Sequence, residues 1–306
     1  MSTRKASYLL LFLQSLKAAF KALSASDPLR LAGATAFFTT FALPAILIII
    51  LQALRAVFIP RNISRQLFTQ LEGLVGRETT EDVINTLRAF RSIAENWLIA
   101  IGGFIFLLFV ATTLFKVIKD SLNQVWAIRS VRRRSFKSIM RSRLRGVLVI
   151  LFTGFLFIVG LFFEAAMAFL GKYIQELAPD LVNYYRSAFS YLATVVTATL
   201  WFALVFYLLP DGRPRWKILF TGALVTSILF NIGKLVLRWL LTYSNINSIY
   251  GASASIVLLL LFVFYCSLIF YFGASFTNVW ADANGVPVQP LPHAKKYRIA
   301  DVKEED

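Results

Sequence analysis

The sequence predicts an all-α polytopic membrane protein, with six transmembrane helices, an N-terminal interfacial amphipathic helix and an exterior amphipathic helix. Three observations carry this prediction. Hydrophobic residues make up 58% of the chain and charged residues 16%, with a mean hydropathy of +0.68. A soluble globular chain would be about 45–50% apolar and about a quarter charged. Charge-free apolar runs long enough to cross ~30 Å of hydrocarbon recur along the chain, and the 32 Lys and Arg, against 16 Asp and Glu, gather in alternate loops.

The chain opens on "SYLLLFLQSLKAAFKAL" (7–23). Leu9, Phe12, Leu13, Leu16, Phe20 and Leu23 recur at helical spacing, with Gln14, Lys17 and Lys21 on the other side. Lys17 and Lys21 interrupt what would be the apolar core of a cleaved signal, so residues 1–30 read as a cytoplasmic helix lying on the inner leaflet. "SASDP" (24–28) ends it.

A six-span bundle is then expected over 31–281. The spans fall at about 31–54, 97–118, 146–170, 187–209, 218–240 and 252–280, the polar break "TYSNINS" (242–248) dividing the last two. Between the first two spans, Thr79 or Thr80 is expected to cap a helix with Glu81 and Asp82 in its first turn. Val83, Leu87, Phe90, Ala94 and Trp97 then form a seam able to pack on the bundle or cover its outer mouth. Residues 282–306 read as a cytoplasmic tail.

Orientation follows from the retention of Lys and Arg on the cytoplasmic side. The N-terminal segment, the loop after span two and the loop after span four are strongly basic, the tail adds Lys295, Lys296, Arg298 and Lys303, and an even-span topology puts all four regions on one side. The loop after span two holds ten basic residues from Lys116 to Arg145. Residues 55–96 are balanced, with six basic and five acidic groups, as are 171–186 with two of each. A bacterial inner-membrane protein with both termini cytoplasmic is therefore expected.

Within the basic loop, "RSVRRRSFKSIMRSRLR" (129–145) has eight basic groups and no acid. Nucleic acid is one polyanion it would suit, but its place between two spans favours topological retention and anionic lipid headgroups. Arg132, Arg133, Arg134, Lys137 and Arg141 are the expected headgroup contacts, interleaved with Phe136, Ile139, Met140 and Leu144.

Charges inside spans are costly and mark candidate sites. Ser227, Asn231, Lys234 and Arg238 are spaced to share one face of span five. Glu164, four residues beyond Gly160, falls at similar depth in span three and could pair with Lys234. Lys234, Arg238, Asn231 and Glu164 thus form a candidate substrate-binding set for an anionic headgroup or solute. Snorkelling is the competing explanation, strongest for Arg238 near the end of its span.

Other chemistry lacks its parts. Cys266 is alone, and His293 sits in a Pro-flanked tail where it reads as a solvated surface residue. Neither a catalytic residue, a metal site nor a cofactor is expected. There is no GxxxxGK[ST] phosphate loop to bind ATP. Asp27, Asp120, Asp211, Asp282 and the acids of 301–306 are scattered over separate loops, unlike the clustered ligands of metal-dependent RNA hydrolysis.

"DSLNQVW" (120–126), "YLLPDGRPRWK" (207–217), "SIYGASASIVLLLLFVFYCS" (248–267) and "GAS" (273–275) occur in order. In these segments the chain resembles the YihY/BrkB family of bacterial inner-membrane proteins, formerly called ribonuclease BN-like, over roughly residues 10–280. The matching positions include Asp120, Asn123, Trp126, Pro210, Asp211, Tyr250, Gly251 and Gly273. Ser275 stands where the family commonly has Glu, and the first span reads "AFFTTFALP" where the family has an "AFY" start. The resemblance implies a role in envelope integrity, serum resistance or lipid export. The nuclease label conflicts with the scattered acids, so a non-enzyme is expected. The function expected is a transporter or flippase-like protein for an anionic lipid or amphiphilic solute. The alternative is a non-transporting scaffold that binds anionic headgroups and envelope-synthesis partners. Membrane lipids are the expected partners, nucleic acid is not, and a homo-oligomer is compatible with the sequence.

Overall fold

The computed structural model describes residues 2–57, 63–93, 97–131, 144, 148–156, 158–160, 179–243 and 254–297. Eight helices are bounded there: α1 (Ser2–Ser24), α2 (Pro28–Val57), α3 (Ile63–Val75), α4 (Arg77–Ile93), α5 (Trp97–Val125), α6 (Pro179–Leu208), α7 (Trp216–Tyr243) and α8 (Ala254–Ala283). Residues 148–156 and 158–160 are also helical. The protein is an all-α membrane protein. Segments Tyr191–Leu208, Trp216–Leu237 and Ile256–Ala283 are each long and apolar enough to cross a bilayer. α2 and α5, with 30 and 29 residues, are of comparable length. In lipid a helix is one of the few ways to pair every backbone group, and these sequences supply the apolar surface.

α8 is the centre of the bundle, packed against α1, α2 and α7, while α6 lies on α7 and α5 on α2. Phe202 and Phe206 of α6 meet Phe270 of α8 at 6.1 and 5.2 Å between ring centroids. Phe37 and Phe41 of α2, and Ile105, Phe106 and Phe109 of α5, remain exposed, as a lipid-facing surface requires.

The N-terminal helix does more than lie on a leaflet. Ala19 and Leu23 are buried, Phe12 packs edge-on against Phe276 and Trp280 of α8, and the Ser275 hydroxyl donates to the Ala19 carbonyl at 2.8 Å. Leu10, Leu13 and Phe20 stay exposed, leaving an outward apolar face suited to the interface. Asp27 makes the turn into α2 with φ 54°, a conformation that Asp tolerates better than most residues, and Pro28 suits the first helical turn.

Between α2 and α5 there are two helices, α3 and α4, where the sequence suggests one. Gly76 separates them with φ 86°. The expected cap is also displaced: α4 starts at Arg77, Thr79 and Thr80 are buried inside its first turn, and the Thr80 hydroxyl donates back to the Gly76 carbonyl at 2.9 Å. The glycine breaks the helix upstream, so the threonines are already helical. Val83 of the expected seam is buried.

The tail does not simply trail into solvent. After α8, residues Gln289–Pro290 (β3) pair antiparallel with Gly212–Arg213 (β2), and Ala294–Lys296 (β4) pair with Ile128–Ser130 (β1). The chain from 286 to 297 thus straps the α5 and α6–α7 loops. The N-terminal turn, the start of the 128–145 loop, the 209–215 loop and this strap all meet at one end of the bundle, called here the basic end.

Candidate functional site

Two sets of polar groups stand out, one within α7 and one at the basic end. The α7 set contains Asn231 and Lys234 of the residues expected from the sequence, together with Ser227. Ser227 is buried and donates to the Val195 carbonyl of α6 at 2.9 Å, and Asn231, 4% exposed, donates to the Ser227 carbonyl at 2.8 Å. Both side chains therefore serve helix packing in this structure. Lys234 is half-buried, with its ammonium 5.2 Å from the Phe230 ring centroid. Among the described residues it has no carboxylate partner. Arg238 lies in α7 but its side chain is outside the described set, as are Glu164, Tyr250, Gly251 and the loop residues Arg132, Arg133, Arg134, Lys137 and Arg141.

At the basic end three of the segments that carry the family resemblance, 120–126, 207–217 and 273–275, converge. The C-terminal turns of α5 supply most of the contacts. Asn123 forms a reciprocal pair with Asp211: its amide nitrogen donates to Oδ2 at 3.1 Å, and its oxygen accepts the Asp211 backbone N–H at 2.8 Å. Lys119, one turn earlier, reaches Asp211 Oδ1 at 2.8 Å, with side chains 18% and 2% exposed. Trp126 is fully buried and donates to the Ala274 carbonyl at 2.9 Å. Gln124 donates to the Ser26 carbonyl and accepts from Arg30. Asp120, at the start of the same motif, is exposed.

His293, expected to be a solvated tail residue, instead places Nε2 3.1 Å from Asp211 Oδ1. The strap folds back and brings it there; the Leu291 backbone N–H also donates to the Asp211 carbonyl at 2.8 Å. Burial pushes the Asp211 carboxyl upward, but Lys119 and then His293 outweigh it, and the group lies below its ordinary value. Gly212, next in the chain, is needed because a Cβ there would meet Ile128, Trp126 and Val288 at 2.6–2.9 Å. Arg213 turns back to the Tyr207, Pro210 and Gly212 carbonyls and covers the Tyr207 ring at 4.6 Å.

Gly273 and Ser275 have structural explanations as well. A Cβ at Gly273 would collide with Thr226, and one at Gly222 with Thr277, so α7 and α8 cross at two reciprocal glycine–threonine contacts. Each threonine hydroxyl donates to the carbonyl of the glycine four residues before it, at 2.7 Å. Ser275 is buried against α1, which leaves the position no open space for a larger acid.

A helical membrane bundle closed at one end by a Lys–Asp–His–Asn cluster around a buried carboxylate is the class defined by fold and geometry. The chain belongs to the family described as Virulence factor BrkB, whose model matches residues 19–298. It is similar to a UPF0761 membrane protein of Mannheimia succiniciproducens, 27% identical over 59% of this chain and 60% of the relative. It is also similar to UPF0761 membrane proteins of Saccharophagus degradans, at 26% identity over 67% of this chain and 45% of the relative, and of Idiomarina loihiensis, at 26% over 71% of each. The matched region thus spans 60% or less of the first two of these relatives. No solved structure matches the chain.

Proposed function

We propose that the protein moves an anionic amphiphile, a lipid or a solute, across a bacterial inner membrane, using six spans, both termini cytoplasmic and no enzymatic chemistry. The observation that carries this reading is Lys234. It lies 18 residues beyond Trp216, about 27 Å along α7, and no carboxylate among the described residues neutralises it. That puts it near the opposite edge of a ~30 Å core, where a half-buried ammonium is stabilised by an anionic partner or by reaching interfacial water. An anionic headgroup or solute would supply that partner, and Glu164 would hold the lysine in place or compete for it. Arg238 would extend the cationic face, and the cations from Arg132 to Arg141 would gather anionic lipid near the entrance.

A second reading, a scaffold for envelope-synthesis partners, is favoured by the interlocked basic end, which resembles a platform more than a gate. Ligand binding separates the two. Native mass spectrometry of the purified protein with a panel of anionic and zwitterionic lipids should show retention of anionic species. Lys234→Met should reduce that retention at least tenfold while the protein stays folded, and Glu164→Gln should change the preference. Equal retention by wild type and Lys234→Met would favour the scaffold.

A further inference from the structure

The start of α7 combines an apolar, exposed stripe with two cations that have no carboxylate partner among the described residues. Trp216 opens the apolar segment Trp216–Leu237 and is 59% exposed. It stacks on Tyr207, with centroids 4.9 Å apart and planes at 22°, and on Phe220 at 6.1 Å and 27°. Beneath it Phe220, Leu224, Ile228 and Ile232 are exposed at four-residue spacing, one continuous strip of the helix surface. From Trp216 to Ile228 this strip runs about 18 Å, slightly more than half of a ~30 Å hydrocarbon core.

Arg215 and Lys217 flank Trp216 at the top of the strip. Both are exposed, and among the described residues neither has a carboxylate within ion-pair distance. Arg213, two residues away, is in a different position, because its guanidinium is committed to backbone carbonyls and to Tyr207. It braces the corner and leaves Arg215 and Lys217 as the cations facing outward. The Arg215 carbonyl accepts the Leu219 N–H at 2.9 Å, so its backbone is fixed while its side chain is exposed.

We propose that Arg215, Trp216 and Lys217 form a binding site for one anionic phospholipid. The phosphodiester lies between the two cations, the glycerol region against the indole, and an acyl chain along Phe220, Leu224 and Ile228. A lipid is favoured over a soluble anion because the strip continues the site into the membrane. Anionic lipid is favoured over zwitterionic lipid because, among the described residues, the site offers exposed cations and no exposed acid beside them to receive a headgroup ammonium. This site is separate from Lys234 and stands whether or not the protein transports.

The test uses the full chain in phosphatidylcholine nanodiscs titrated with brominated phosphatidylglycerol or brominated phosphatidylcholine. The Trp216 signal is the fluorescence lost in Trp216→Phe. Brominated phosphatidylglycerol should half-quench that signal at a mole fraction at least about fivefold lower than brominated phosphatidylcholine does. Arg215→Gln with Lys217→Gln should remove the preference. Lys217→Gln alone, on an exposed helix surface, should reduce it if the double variant does not fold. Equal quenching by the two lipids in the wild type overturns the proposal, as does a preference that survives in the Arg215/Lys217 variants. Displacement by inorganic phosphate at constant ionic strength would assign the site to a soluble anion instead.

Discussion

Asp211 is the residue on which the basic end depends. Its carboxylate joins α5, through Lys119 and Asn123, to the strap, through His293. Removing one member of a buried ion pair strands the other, at a cost of about 3–5 kcal/mol. Asp211→Asn should therefore lower unfolding free energy by about 3 kcal/mol, measured by denaturant titration in detergent, and should make the strap more susceptible to limited proteolysis. The pH dependence has a definite sign. The folded carboxyl lies below its unfolded value of about 3.9, so its stabilisation is complete well above pH 4 and is lost as pH falls through the depressed value. The variant should lack that part of the acid-side loss of stability. Asn123 and Asp211 were legible as motif positions, but their partnership was not, because 88 residues separate them. His293 was misread since a lone histidine among prolines carries no periodic signal; only the pairing of the strap with β1 and β2 brings it inward.

At the level of elements, the crossing of α7 and α8 depends on surface shape more than on polarity. Hydrophobic attraction between helices vanishes in lipid, so close packing and local hydrogen bonds must hold them. Gly222 and Gly273 each accept the opposing threonine, and Gly233 similarly lies against Tyr265 and Ile269. Gly273→Ala should destabilise the protein by about 1–3 kcal/mol through overpacking. Because the atoms in its way all belong to Thr226, the double variant Gly273→Ala with Thr226→Gly should recover part of the loss in a thermal-shift or size-exclusion assay. A double variant no better than the single one would mean that the collision is not the cause. The helices themselves were readable from charge-free runs and length. The α3–α4 break was not, since Gly76 acts through its backbone φ, whereas the Thr–Glu–Asp pattern suggested a later start.

Across the whole molecule, charge distribution and geometry meet. The N-terminal turn, the 128–130 segment, the 209–215 loop and the 286–297 strap come from four basic regions of the sequence and lie at one end of the bundle. Which side of the membrane they occupy is settled by labelling. In a Cys266→Ser background, cysteines placed at Val75 and Asp180 should react with an impermeant thiol reagent on intact cells, while those at Ser135 and Lys295 should react only after permeabilisation. Reaction at 135 in intact cells would reverse the orientation. The candidate site was less legible than the fold. Periodicity put Ser227, Asn231 and Lys234 on one face, but it could not reveal that Ser227 bonds to α6 while Lys234 stays without a carboxylate among the described residues.

The proposed movement of an anionic amphiphile rests on Lys234 and can be measured directly. Liposomes containing the purified protein and a trace of headgroup-labelled phosphatidylglycerol are treated with dithionite, which bleaches label only in the outer leaflet. The proposal expects bleaching to proceed well past half in wild-type vesicles and to stop near half with Lys234→Met, as in protein-free vesicles. Equal bleaching with wild type and Lys234→Met, or no bleaching beyond half with folded wild-type protein, would contradict it.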